Sequence, residues 1–217
     1  MIGESTGEIL PGLWRFAAAH PEWTEDDGGD EGWGQVVAWW AVSTTRGLLL
    51  IDPLLGDWDE LDRLVSTHGG CAGVVRTIHW HQRSVAEAAA RLGAPVWALD
   101  TWTMDTPQPE KRQPLDQGLH DQEELWDGIQ AFSVERHDEI ALWLPQQAAL
   151  LFGDAMLRRD NGQLRVCPDS WTQPVGGPAR LHAVLGGLTR FPVEHVLVSH
   201  GPLVLGNGLE SLRAAVR

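Results

Sequence analysis

The chain has 217 residues, a formal net charge of −14 and a hydrophobic content of 43%. This length suits one domain with a substantial core, and the composition is typical of a globular protein, which excludes a disordered or fibrous chain. The 16 lysines and arginines are scattered along the chain, so we expect no nucleic-acid partner, because such a partner requires a basic stripe.

The amino terminus and the two cysteines bear on the cellular compartment. Residues 1–10 lack the basic and apolar regions of a secretory signal, and no apolar run is long enough to span a bilayer. Cys71 and Cys167 have neither CxxC nor zinc-finger spacing, which favours two reduced, inert thiols over a disulfide. We therefore expect a cytoplasmic protein with no membrane partner.

The first 44 residues contain two apolar segments with a polar connection between them. Residues 8–18 carry an apolar segment, and residues 35–44 predict a strand because Val and Trp dominate them. The connection, residues 20–34, contains six carboxylates and a Gly-Gly pair. This composition favours an exposed hairpin tip, and the functional alternative is a flap that carries Trp23 and Trp33 over a pocket.

The following segment alternates between short apolar runs and amphipathic runs. Buried strands are predicted at residues 48–51, 74–78 and 96–99. Two helices lie between them, each with a capping-box start and a glycine stop: Asp57, Glu60 and Gly69 for the first, and Ser84, Glu87 and Gly93 for the second. This β-α-β-α-β order predicts a layered α/β domain.

The second half of the chain begins with a polar, proline-rich stretch without a period, residues 101–127, which predicts a long loop or insertion. Three strand-like runs with short turns then predict a meander, at residues 129–134, 140–144 and 148–152. Pro178 suits the first position of a helix, and a final strand and helix are predicted at residues 196–198 and 209–216.

Candidate metal ligands follow four of the predicted strands, where loops are free to aim side chains while the sheet sets their spacing. They are His79 and His81 after residues 74–78, His137 after 129–134, Asp154 after 148–152, and His200 after 196–198. Neutral imidazoles and a carboxylate are ligands that zinc, iron and manganese accept. The other histidines share no such pattern and are interpreted as ordinary: His20, His68, His120, His182 and His195.

Each candidate ligand also has a structural alternative. His79 and His81 flank a tryptophan, and the strand period of two places both on one face, where they either share a metal or fill a polar cleft. His137 precedes an aspartate, which is also consistent with a surface ion pair. Asp154 is equally suited to capping a turn, and His200 to a structural role in a Gly-Pro loop.

This series of motifs resembles the metallo-β-lactamase superfamily over nearly the whole chain and in the same order. The matching segments are LLLIDPLL with Asp52, HWHQRS at residues 79–84 in place of HxHxDH, His137 before a hairpin, LLFGDAM with Asp154, and LVSHGP with His200. The resemblance implies one domain over residues 1–217 in the α/β (α+β) class, built as a four-layer αββα sandwich.

The HxHxDH motif is degenerate, because Arg83 replaces its aspartate and Ser84 its last histidine. The resemblance implies a first metal site of His79, His81 and His137, with Asp154 as the usual bridging carboxylate and His200 retained; the second site lacks two ligands. We therefore expect one zinc, iron or manganese ion at most. For Ser84, a helix N-cap role is favoured over a ligand role.

A guanidinium is always charged and binds carboxylates bidentately, so Arg83 is predicted to pair with Asp154 where a second cation would lie.

With one metal, the implied chemistry is hydrolysis of a small ester, thioester or lactone, with Asp154 as a fourth ligand or as the group that orients the water. The acidic chain favours neutral or cationic substrates. The alternative is a catalytically inactive, metal-free protein that binds a small molecule or partner in the same cleft, using Trp80, Trp23 and Trp33.

Overall fold

The computed structural model describes residues 7–29, 31–100, 115–159, 161–172 and 176–217. Within these ranges the chain forms fifteen β-strands and four α-helices, together with short 3-10 turns. Among the helices of the described ranges, none has the length and apolar character needed to cross a bilayer.

The first sheet contains seven strands in chain order. They are β1 (Gly7–Leu10), β2 (Leu13–Ala19), β3 (Val36–Thr44), β4 (Gly47–Ile51), β5 (Cys71–Val75), β6 (Val96–Leu99) and β7 (Gln117–Leu119). Strands β1 to β4 pair antiparallel, whereas β4 to β7 are parallel. The parallel strands need crossover connections, which α1 (Trp58–Thr67) and α2 (Val85–Leu92) provide.

The second sheet contains six strands in the order β15-β14-β11-β10-β9-β8. They are β8 (Glu123–Glu124), β9 (Gln130–Ser133), β10 (Ile140–Leu144), β11 (Ala149–Phe152), β14 (His195–Val198) and β15 (Val204–Leu205). A separate two-stranded ribbon consists of β12 (Met156–Arg158) and β13 (Leu164–Val166), and two helices follow, α3 (Gly177–Gly187) and α4 (Gly208–Ala215). The predicted meander is confirmed, since β9, β10 and β11 pair antiparallel in succession.

Three apolar layers hold the elements together, because successive residues of a strand point to opposite faces of its sheet. In β4, Leu49 and Ile51 pack between the two sheets, whereas Leu48 and Leu50 pack against α1 and α2. On the far side, α3 and α4 cover the second sheet. The predicted four-layer αββα sandwich is therefore confirmed.

The strand predicted at residues 74–78 ends early, at Val75, and residues 77–84 form a series of bends and turns. The strand pairing stops because the backbone N–H of Thr77 donates its hydrogen bond to a side chain instead of to a neighbouring strand. The acceptor is Asp52 Oδ1, at 2.8 Å. His79 and His81 consequently lie on turns, and the prediction that a strand period places them on one face is wrong.

The helix ends follow the predicted residues in part. Asp57 caps α1, accepting hydrogen bonds from Asp59 N and Glu60 N. Gly93 ends α2 in the left-handed conformation at φ 62°, as predicted. Ser84 precedes α2 but makes no capping bond, so its predicted capping box is wrong. Its hydroxyl instead accepts a hydrogen bond from Leu55 N at 3.1 Å, which ties α2 to the loop after β4.

Two predicted loops have defined places in the fold. Residues 20–34 lie between β2 and β3, and their described part contains one 3-10 turn, Glu25–Asp27. Of the predicted insertion at residues 101–127, residues 101–114 lie outside the described residues. The remainder is not entirely loop, because β7 and β8 extend the two sheets there. These edge strands have three and two residues, which is too short for a recognisable period.

Candidate metal centre

Three buried side chains from three different loops meet at the carboxyl ends of β5, β11 and β14. Asp154 Oδ1 lies 3.0 Å from His81 Nε2 and 2.9 Å from His200 Nε2. One ligand atom from each residue lies within 4.8 Å of the other two. The other oxygen of Asp154, Oδ2, accepts a hydrogen bond from Trp80 Nε1 at 2.5 Å. The carboxylate therefore has a fixed orientation toward the two imidazoles.

His81 lies between two carboxylates. Its Nδ1 is 2.8 Å from Asp52 Oδ2, and its Nε2 faces Asp154. Burial and the charge of Arg83 lower the pKa of His81, but Asp154 and Asp52 outweigh both and raise that pKa to about 9. Burial raises the pKa of Asp154, yet the charge of His81 and the bonds from both imidazoles hold it well below its usual value.

This pairing predicts a pH dependence for the metal-free protein. Because the folded-state pKa of His81 exceeds its unfolded value, its contribution to stability is complete below about pH 6.5 and is lost as pH rises through about 9. We expect the free energy of unfolding in the presence of a chelator to fall by on the order of 2–3 kcal/mol over that interval. Urea titrations at several pH values measure it, and an unchanged slope in His81→Gln would contradict the assignment.

His200 is held by contacts between the two sheets. The residue forms an isolated antiparallel bridge with Val37, and Ala38 N donates to the carbonyl of Ser199 at 2.8 Å. Burial lowers the pKa of His200 and outweighs the hydrogen bond to Asp154, which raises it. The balance favours the neutral ring that metal ligation requires. The ring also packs against Trp33, with 4.9 Å between ring centroids.

Arg83 does not bind Asp154 directly, so the predicted bidentate pair is wrong. Its Nη1 donates to the backbone carbonyls of Ala38 at 2.9 Å and Asp52 at 3.1 Å, and its Nη2 lies 3.4 Å from His81 Nε2. The two carbonyls hold the guanidinium beside His81. Burial lowers the pKa of the Arg83 guanidinium, and the charges of Asp52 and Asp154 offset this only in part.

His79 and His137 lie beside the three-residue cluster without joining it. His79 Nδ1 is 2.6 Å from Asp138 Oδ1, whereas its Nε2 is buried and has no hydrogen-bond partner in the described part of the chain. The rings of His79 and His137 are 5.8 Å apart between centroids. His79, His81 and His137 do not form a group of ligand atoms within 4.8 Å of one another, whereas His81, Asp154 and His200 do.

The turn between β9 and β10 contributes two residues that the sequence analysis missed. Asp138 is buried, although its segment was open to interpretation as a surface ion pair. Its carboxylate binds both the ring and the backbone N–H of His79. Glu139 is fully buried, and its Oε1 accepts from Asp154 N at 2.6 Å and Ala155 N at 2.7 Å. Its other oxygen pairs with Arg136. The run ERHDE was the available signal, since it places both carboxylates directly after His137.

A cleft of about 590 Å³ opens above Asp154. Its walls combine the connection between β2 and β3, which we call the flap (residues 20–34), with aromatic and basic side chains of the body. The lining includes Asp26, Asp27, Glu31 and Trp33 from the flap, and Trp80, Arg136, His137 and Trp171 opposite. Trp23 supports the flap from behind, donating from Nε1 to the carbonyl of Trp33 at 3.0 Å. Trp33 thus lines a pocket, as the functional alternative for this segment predicted.

No protein-family model matches the sequence, and no curated protein sequence matches it. Solved structures do match. A metallo-β-lactamase from Pontibacter korlensis is 18% identical, with a TM-score of 0.70 over 98% of each chain. The mono-zinc form of the metallo-β-lactamase FIM-1 from Pseudomonas aeruginosa is 16% identical, with a TM-score of 0.69 over 97% of this chain and 92% of that one.

A third structure, TTHA1623 in a di-iron-bound form, is 25% identical, with a TM-score of 0.61 over 83% of this chain and 93% of that one. These similarities extend over most of each chain, and together they show the fold. The chain has the metallo-β-lactamase fold, as the order of its motifs implied.

Proposed function

We propose that this protein is a hydrolase that uses one zinc, iron or manganese ion to cleave a small ester, thioester or lactone. The observation that carries this proposal is the buried cluster of His81, Asp154 and His200 beneath an open cleft. A metallo-β-lactamase fold supplies the context, but fold alone does not determine activity, so the proposal depends on the site.

The residues of the cluster fit a single ion. Ligand atoms at about 2.0–2.2 Å from zinc lie roughly 3–4 Å from one another, and Asp154 Oδ1 lies 3.0 Å and 2.9 Å from the two imidazole nitrogens. Two imidazoles and one carboxylate also form a donor set that zinc, iron and manganese accept. Among the described residues a second ion has no comparable support, because Arg83 is a cation and the Ser84 hydroxyl is directed toward Leu55 N.

Such an ion, when bound, lowers the pKa of a bound water to about 7 and polarises a carbonyl group. The chain itself contributes positioning and proton transfer. His81 and His200 would hold the ion through Nε2 and Asp154 through Oδ1, while Trp80 keeps the carboxylate in place. His79 lies nearby with its Nδ1 beside the carboxylate of Asp138, and its Nε2, which has no hydrogen-bond partner among the described residues, is the atom that would hold or move a proton.

The lining of the cleft supports the substrate class. The indoles of Trp33, Trp80 and Trp171 offer apolar surface for an acyl group and exclude water from it. Three carboxylates of the flap, Asp26, Asp27 and Glu31, face the same space. Arg136 also lines the cleft, but Glu139 balances its charge. The surplus of negative charge at the opening disfavours anionic substrates and favours neutral or cationic ones.

Metal content tests the proposal directly. We expect about one equivalent of zinc, iron or manganese in untagged protein after incubation with the metal and removal of excess, and a loss of it in His81→Ala. His120→Ala is the matched control, because that histidine is exposed in the turn between β7 and β8. Elemental analysis of the three proteins gives the result. Absence of metal from the wild-type protein even after incubation with zinc would exclude the metal-dependent hydrolase.

Activity is the second readout of the same proteins. The metal-loaded wild type is expected to hydrolyse neutral or cationic small esters, thioesters or lactones faster than matched anionic ones, and His81→Ala is expected to be inactive. Metal binding without turnover of any member of this panel would contradict the substrate class while leaving the metal site intact.

The alternative is a catalytically inactive protein that binds a small molecule or partner in the same cleft. A specific observation favours it: His81 lies between Asp52 and Asp154, with Arg83 adjacent, so the charges of the cluster are balanced without an ion. Under this alternative, zinc is not retained, whereas small molecules that enter the cleft raise the melting temperature of the metal-free protein.

A further inference from the structure

Building on the function proposed above, we propose that Arg83 is a fixed positive charge that weakens metal binding at this site. Nη2 of Arg83 lies 3.4 Å from His81 Nε2, the same nitrogen that faces Asp154 across the cluster. Any ion held by His81 Nε2 therefore has a guanidinium as a close neighbour. The residue occupies this place without contributing a ligand atom.

The guanidinium is anchored on its other side. Nη1 donates to the carbonyl of Ala38 in β3 and to the carbonyl of Asp52 at the end of β4. One acceptor belongs to the first sheet and the other directly follows a strand of it, and both residues are buried. Because these two bonds fix its position, Arg83 is not free to swing into solvent when a cation arrives.

The charges around the cluster indicate how much Arg83 lowers the affinity for a metal ion. Asp52 and Asp154 contribute two negative charges, and once His81 has lost its proton, as metal ligation requires, Arg83 balances one of them. The neighbouring Glu139 is balanced by Arg136, and Asp138 binds His79 and interacts with Arg76. A divalent ion therefore leaves one positive charge in excess, and a second divalent ion would leave three. Like charges a few ångströms apart in a protein interior repel each other, so we expect roughly a 100-fold loss of affinity, about 2.8 kcal/mol.

Zinc affinity in two variants tests this role. Competition titrations against a chromophoric chelator, with zinc chloride as the probe, compare the wild type with Arg83→Gln and Arg83→Lys. We expect Arg83→Gln to bind zinc about 100-fold more tightly than the wild type at an unchanged ratio of one ion per chain. Arg83→Lys retains the charge and is expected to stay within a few-fold of the wild type. Arg91→Gln, which removes an exposed guanidinium on α2, is the control and should leave the affinity unchanged.

Several outcomes overturn the proposal. One is a folded Arg83→Gln with wild-type zinc affinity; another is equal tightening in Arg83→Gln and Arg83→Lys, which would assign the effect to shape rather than charge. If Arg83→Gln fails to fold, as judged by circular dichroism and thermal melting, Arg83→Met removes the charge with similar side-chain volume and provides the same comparison. Zinc binding by Arg83→Gln but not by the wild type would support the role of Arg83 while contradicting a metal-dependent wild-type enzyme. No zinc binding by any variant would overturn both.

Discussion

Asp154→Asn is expected to abolish metal retention and to lower the free energy of unfolding of the metal-free protein by about 3 kcal/mol. The carboxylate accepts hydrogen bonds from Trp80 and faces the Nε2 atoms of His81 and His200. An amide offers one acceptor oxygen and turns its NH2 group toward one of these neighbours, which leaves a buried polar group unpaired. The charge that balances the cations around His81 disappears at the same time.

Two measurements separate the effects of Asp154→Asn. Urea unfolding in the presence of a chelator reports the stability of the network alone, and elemental analysis after incubation with zinc reports the metal site. Asp62→Asn is the matched control, because that aspartate forms an exposed ion pair with Arg91 and exposed pairs contribute little. If Asp154→Asn retained a full equivalent of zinc, Asp154 would not be a ligand.

Glu139→Gln is expected to destabilise the protein by about 3–5 kcal/mol, because it leaves the buried guanidinium of Arg136 without its counter-ion. For a chain of this size, that corresponds to a decrease of roughly 10 °C in the melting temperature. Glu139 also accepts hydrogen bonds from Asp154 N and Ala155 N, and the single oxygen of a glutamine cannot accept from these two donors and from Arg136 on the opposite side, so the substitution weakens the turn that carries the carboxylate of the cluster. We therefore expect weaker zinc binding as well as lower stability.

The chain provides a close control for this prediction four residues earlier. Glu135 pairs with Arg180 at the surface, and both side chains are about half exposed, so Glu135→Gln should leave the unfolding transition essentially unchanged. Thermal melts and zinc titrations of the two variants are the measurement. Equal melting temperatures for Glu139→Gln and Glu135→Gln would show that the buried pair does not support the site.

Gly153 shows why the turn that carries Asp154 depends on its surroundings. A side chain at Gly153 would place a Cβ 2.5 Å from Thr77 Oγ1 and 3.0 Å from Glu139 Oε1. The loop after β11 therefore packs directly against the segment after β5 and the turn between β9 and β10. This close approach places the carboxylate of Asp154 beside the imidazole of His81, although the two residues are 73 positions apart in the chain.

Much of the fold followed from the sequence alone, because the relevant information is local. The alternation of β4, in which Leu49 and Ile51 face one layer and Leu48 and Leu50 the other, follows from the side-chain period of a strand. The glycine stop of α2 follows in the same way from backbone conformation. The order of these elements predicted a layered α/β domain, and the resemblance of the motifs after several strands to the metallo-β-lactamase superfamily implied the four-layer sandwich and the region of the site.

Tertiary structure alone decided which of these side chains meet. The choice of His81, Asp154 and His200 as the cluster depends on where β5 ends, and that point is set by Asp52, which accepts a hydrogen bond from the backbone 25 residues later. The partners of Arg83 are backbone carbonyls of β3 and the end of β4, which no side-chain pattern reveals. Contacts of this kind join distant segments and depend on the packing of two sheets, whereas a sequence pattern describes only the periodicity within one segment.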